Sequence, residues 1–151
     1  MGGIEMAFGP PTRAVKSRPV TFIFDIPTTK TSRFWEELEK GKVYGTKCKK
    51  CGHKYFPPAA DCSECLTSDM EWIDLTGDEG EIETFTHVIV RPPSFAEHDT
   101  YTVAVAKMKE GVKVLAWLSG VKLGQAKVGM KVKLAGKPSP EGSSYELVPI
   151  Q

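Results

Sequence analysis

The chain has 151 residues, 40% of them hydrophobic and 26% charged, with a formal net charge of +1. That length and composition describe a globular protein of one ordinary domain or two small ones, and no apolar run is long enough to span a bilayer. The near-neutral total conceals three segments. Residues 42–66 carry Lys42, Lys47, Lys49, Lys50 and Lys54 against Asp61 and Glu64; residues 67–99 carry nine acids against Arg91; residues 100–151 carry eight Lys against three Glu. A nucleic-acid track wants contiguous positive potential, and Asp78, Glu79, Glu81 and Glu83 would interrupt it, so charge favours a local phosphate site over a long polyanion.

Residues 1–30 read as an extended arm. Pro10, Pro11, Pro19 and Pro27 punctuate it, and only Val20–Ile26 has the β-branched and aromatic content of a short strand. The pattern then predicts an amphipathic helix from Thr31 to Lys40. Thr31 or Ser32 is the expected cap, Phe34 and Leu38 share a face beside Trp35, and Gly41 stands at C′. Those three apolar residues either close this protein's own core or face a partner.

All four cysteines fall within eighteen residues, as Cys48-Lys-Lys-Cys51 and Cys62-Ser-Glu-Cys65. Two C-x-x-C turns separated by ten residues suit a tetrahedral thiolate site, with zinc as the expected metal and iron second. A disulfide scaffold belongs to small secreted domains and no signal-peptide pattern opens the chain; a redox C-x-x-C needs a βαβ context that is missing. Cysteine usage therefore predicts a cytoplasmic protein, and without an apolar run long enough to span a bilayer no membrane partner is expected. Four thiolates close the coordination sphere, which makes the metal structural rather than catalytic. His53 is a spare ligand candidate, read as exposed because the site is already full. Lys47, Lys49, Lys50 and Lys54 surround the first knuckle, as phosphate ligands or as a solvated face. Tyr55, Phe56, Pro57 and Pro58 give the return segment of this ribbon (residues 42–68) a stiff apolar face.

From residue 69 the pattern is β. Glu71–Leu75 is a short run, Gly77 and Gly80 mark a turn or bulge, and Glu81–Arg91, Tyr101–Met108, Val112–Leu118, Lys131–Ala135 and Tyr145–Val148 read as strands. Five strands with one irregular connection describe a small Greek-key barrel, best matched by an OB-fold. The whole is mainly β: arm and helix, rubredoxin-like ribbon, five-stranded barrel.

In this order of signals, an aromatic helix closed by Gly41, Cys48-x-x-Cys51-Gly52, Phe56-Pro57-Pro58, Cys62-x-x-Cys65, Trp72, the glycine turn and Val128-Gly129, the chain resembles the DUF35 family of zinc-ribbon and OB-fold proteins. The resemblance covers about three quarters of the chain, with Ala59 and Ser63 where the family often has a basic residue and a proline. It implies a non-catalytic subunit bound to a thiolase-like enzyme, and in some members bridging to a hydroxymethylglutaryl-CoA synthase, with coenzyme A or acyl-CoA held beside it. Carried over, Phe34, Trp35 and Leu38 become docking candidates, and Lys49, Lys50, Lys54, Phe56, Pro57 and Pro58 become CoA-binding candidates. With every cysteine committed to the metal and no Ser/His pair at recognisable spacing, the chain is not expected to be an enzyme. The competing reading is a nucleic-acid-binding module, with Phe85, Tyr101 and Trp117 as stacking residues; rubredoxin-like electron transfer would require iron.

Overall fold

The structure, a computed structural model, describes residues 28–91, 95, 99–140 and 142–150. The expected strand Val20–Ile26 lies outside them. The first element, α1 (Ser32–Leu38), is shorter than expected, and Thr31 makes no side-chain cap to its first amides. Its C-terminal signal is realised as read: Gly41 is left-handed at φ +76°, its amide bonds to the Leu38 carbonyl at 2.9 Å, and the Lys42 amide bonds to that of Glu37 at 2.9 Å.

Phe34 and Leu38 face inward and are 2% and 1% exposed, whereas Trp35 is 51% exposed. Of the two readings of this face, Phe34 and Leu38 follow the core one in this structure, and Trp35 is the docking candidate left exposed. Full burial is what holds so short a helix in place, because seven residues cannot sustain a helix alone.

Strand β1 (Tyr44–Cys48) is the centre of a small antiparallel sheet, flanked by β2 (Lys54–Tyr55) and β3 (Met70–Asp74). The run read as the start of the β-rich half is therefore bonded to the ribbon, with Thr46 opposite Trp72 and Cys48 opposite Met70. Five further strands, β4 (Glu79–Val88), β5 (Tyr101–Met108), β6 (Lys113–Leu118), β7 (Lys131–Lys137) and β8 (Ser144–Pro149), close a barrel in the order β4-β5-β6-β8-β7. All neighbours are antiparallel except β6 and β8, which run parallel with Trp117 opposite Glu146. Closure through β4 and β7 removes the free edges an open sheet would present.

Alternation fills the barrel. Along β6, Val114, Ala116 and Leu118 are buried while Lys113, Leu115 and Trp117 point outward. The interior, with Ile82, Ala106, Val132, Leu134 and Leu147 at its centre, is continuous with Phe34, Leu38, Val43 and Leu75 from the helix and ribbon. Burying each of the larger side chains contributes roughly 1.5–3 kcal/mol, so ribbon and barrel are stabilised by one shared core. Close backbone approach tightens the seam further: a Cβ on Gly136 of β7 would sit 2.5 Å from the Gly41 carbonyl oxygen. The irregularity expected near Gly77 and Gly80 has two parts. Gly77 turns the chain at φ +76°, and the β4–β5 register shifts between Ile82 and Thr84.

Folding also redistributes the charge. Glu79 pairs with Lys109, Glu81 with Lys131, and Glu83 with Lys113 at 2.7 Å, so acids concentrated on β4 meet lysines supplied by β6, β7 and the β5–β6 turn. The acidic stretch is interleaved rather than presented as a negative face. Among the described residues, no helix is long and apolar enough to cross a membrane.

Candidate metal centre and its surroundings

The two knuckles are built alike. In the first, the Cys48 amide donates to the His53 carbonyl and the Gly52 amide to the Cys48 carbonyl, both at 2.8 Å. In the second, the Cys62 amide donates to the Thr67 carbonyl at 2.8 Å and the Leu66 amide to the Cys62 carbonyl at 3.0 Å. Each turn ends left-handed, at Gly52 with φ +76° and at Leu66 with φ +54°. For Gly52 that conformation carries no steric cost; for Leu66, 87% exposed and without packing to compensate, it does.

These turns bring the sulfurs of Cys48, Cys51, Cys62 and Cys65 within 4.8 Å of one another, with Cys48–Cys65 and Cys51–Cys62 at 3.5 Å. A tetrahedral ion with metal–sulfur bonds of about 2.3 Å sets its ligands about 3.8 Å apart, so the donor set fits a metal without rearrangement of the backbone. The Cys51 amide points at the Cys48 sulfur, 3.5 Å away. Electrostatics give the same answer. The Tyr55 hydroxyl pulls the Cys62 thiol down to about 6, and the Cys51 amide lowers Cys48. Burial pushes Cys65 up to about 12. Four thiols so close cannot all ionise unaided, and a divalent cation is what lets them do so together.

His53 is exposed, stacks obliquely on Tyr55 at 4.7 Å and is not part of the sulfur cluster. Two other side chains brace the ribbon, and sequence reasoning assigned neither of them this task. Thr46, buried on β1, accepts from the Ala59 amide and donates to the Ala59 carbonyl, both at 3.0 Å, fixing the return segment. Tyr55 places its hydroxyl 3.2 Å from the Cys62 sulfur and within 3.1 Å of both the Ser63 hydroxyl and the Ser63 amide. Both contacts join residues distant in sequence, and no local pattern announces them.

The CoA-binding candidates scatter. Lys49 pairs with Asp69 at 2.8 Å, and Lys54 is held by Glu110 at 2.6 Å, while exposed Lys50 forms no ion pair among the described residues. Phe56 turns inward to meet Tyr145 at 4.9 Å and Phe34 at 6.2 Å, which makes it a seam residue between ribbon and barrel. Pro57, joined to Phe56 by a cis peptide, is exposed and Pro58 half-buried. Of the stacking candidates, Phe85 packs against the core, whereas Tyr101 and Trp117 stack on each other at 4.5 Å on the outer face of β5 and β6.

Comparison with known proteins agrees with this architecture. Residues 35–71 match the model of the ChsH2 rubredoxin-like zinc ribbon domain and residues 72–137 that of the ChsH2 C-terminal OB-fold domain. A DUF35 domain-containing scaffold protein of Pyrococcus furiosus is 34% identical over 104 residues, covering 68% of this chain and 75% of that protein. One of Methanocaldococcus jannaschii is 30% identical over 103 residues, covering 67% and 72%. Among solved structures, one described as Ltp2-ChsH2(DUF35) aldolase superposes with a TM-score of 0.67 at 21% identity, covering 87% of this chain and 98% of that one. A DUF35 protein of unknown function from Sulfolobus solfataricus gives 0.58 at 19% identity, covering 81% and 86%. At such identities the two solved structures speak to the fold. Taken with the four-cysteine ribbon and the closed five-stranded barrel, the relatives identify this chain as a member of the DUF35 family.

Proposed function

We propose that the protein is a non-catalytic scaffold subunit that associates with a thiolase-type enzyme, in the manner of an acetoacetyl-CoA thiolase and hydroxymethylglutaryl-CoA synthase pair, and holds acyl-CoA beside it. The observation that carries this reading is the match, over 67% and 68% of the chain, to relatives named as scaffold proteins. A related fold described within an aldolase together with Ltp2 supports an enzyme as the partner. A tethering subunit that shares a CoA site keeps a thioester near the next enzyme instead of releasing it.

The metal in this reading is structural zinc. Four cysteine sulfurs leave no ligand position for a substrate, and the ion's task is to fix the two knuckles. Docking falls to two of the apolar side chains that the core does not take, those of the helix and ribbon: Trp35 on α1, and Leu66, held outward beside the second knuckle. For CoA, Pro57 supplies an exposed edge, with half-buried Pro58 beside it, and Lys50 supplies positive charge for phosphate; Lys49, next to it, would first have to leave Asp69.

The Tyr101–Trp117 stack on an OB-fold face favours one alternative, a single-stranded nucleic-acid platform. Against it, Lys109, Lys113 and Lys131 are each neutralised by a glutamate of β4. The test is recovery of the tagged protein from its native extract with and without nuclease. A thiolase-fold enzyme retained in stoichiometric amount after nuclease treatment, with CoA binding to that complex, is the expected result. Nuclease-sensitive ribonucleoprotein alone overturns it.

A further inference from the structure

The Tyr55 hydroxyl has more partners than a ring that merely packs would need. It accepts from the Ser63 amide at 3.0 Å and meets the Ser63 hydroxyl at 3.1 Å and the Cys62 sulfur at 3.2 Å. A metal-bound Cys62 is a thiolate, which only accepts. The proton assignment then follows: the Ser63 amide and hydroxyl both donate to the Tyr55 oxygen, and the Tyr55 hydroxyl donates to the sulfur. Cys62 is buried, so water does not readily replace that donor. Tyr55 itself is fixed by pairing opposite Thr46 on β1 and by the His53 ring 4.7 Å away.

We infer that Tyr55 is a positioning residue for the metal centre, donating a charge-assisted hydrogen bond to the coordinated Cys62 sulfur and so strengthening metal retention and tuning that sulfur's donor character. This rests on the metal reading of the four cysteines. A hydrogen bond to a thiolate stabilises the anionic sulfur and fixes its lone pairs while lowering their energy, and outer partners of this kind typically change affinity by roughly 10–100-fold when removed.

The test uses the full chain loaded with cobalt(II), whose sulfur-to-metal charge-transfer band reports the donor energy of the thiolates, and compares it with Tyr55→Phe. The variant is expected to lose about tenfold in metal affinity by chelator competition, with the band moving to lower energy because one sulfur has lost its hydrogen bond. Incorporation of 3-fluorotyrosine keeps every ring in place and makes the phenol a stronger donor, so the band is expected to move the opposite way. Unchanged affinity and band in a folded Tyr55→Phe protein overturn the inference, as does an unmoved band in the fluorotyrosine protein should the variant not fold. Failure of the wild-type protein to bind cobalt or zinc instead overturns the metal reading itself.

Discussion

Lys54 Nζ lies 2.6 Å from the Glu110 carboxylate and 2.9 Å from the Glu110 carbonyl, clipping ribbon strand β2 to the β5–β6 turn of the barrel. The clip is partly exposed, and an exposed ion pair contributes at most about 1 kcal/mol. Lys54→Ala is therefore expected to lower stability by less than about 1 kcal/mol in urea titration, and the difference should shrink in high salt. A loss of several kcal/mol would mean that the clip, not the shared core, joins the two parts.

The helix separates its two tasks by residue. Leu38→Ala opens a cavity in the common core and is expected to cost about 2–5 kcal/mol, whereas Trp35→Ala should stay within about 1 kcal/mol while abolishing capture of the partner enzyme. Comparable destabilisation by the two substitutions would assign Trp35 to the core and remove it from docking.

Leu66 adopts the left-handed conformation that Gly52 adopts in the other knuckle. The steric cost there is roughly 1–2 kcal/mol, partly offset by the greater unfolded-state freedom of glycine. Leu66→Gly is expected to raise stability by about 0.5–1 kcal/mol, and to weaken partner binding if its exposed side chain docks. A destabilised variant would show that the turn is not strained.

Metal removal should act on the ribbon first. A strong chelator, or Cys48→Ser, is expected to abolish hydrogen-exchange protection across β1 and β3 while amides of β5 and β6 keep theirs. Simultaneous loss across both regions would show that the barrel does not stand without the ribbon.

Asp78 offers a pH test. Burial raises its pKa, with the Glu110 amide opposing and the Glu110 charge reinforcing. A carboxyl whose folded pKa is raised favours the fold when protonated and loses that contribution as pH rises through the folded value. Asp78→Asn is thus expected to be slightly more stable than wild type at neutral pH, by less than about 1 kcal/mol, and the advantage should disappear below the ordinary carboxylate range. Thermal melts at pH 7 and pH 3 compare the two, and a gain that persists in acid would point to a cause other than ionisation.

The metal motif and the barrel strands were legible because their signals are local: two C-x-x-C turns, and strands whose apolar residues alternate between turn residues. The helix was legible in place and in its Gly41 stop, but not in its full extent or its orientation. Nothing in Phe34-Trp35-Glu-Glu-Leu38 says that Phe34 meets Phe56 and Tyr145 and that Leu38 joins the core while Trp35 remains outside, because that depends on where β8 comes to lie. Tyr55 and Thr46 were missed for a related reason. Their partners, Ser63, Cys62 and Ala59, are brought near by the folded ribbon, and a hydroxyl in sequence carries no mark of what it will bond.

The pairing of β4 glutamates with lysines of its neighbours has a kinetic consequence. A surface whose charges cancel over a few ångströms projects little potential beyond a Debye length, so it cannot draw a partner in from a distance. Encounters with the β4 face are therefore expected to proceed at the unsteered rates of roughly 10⁵–10⁶ M⁻¹s⁻¹ and to change little with ionic strength.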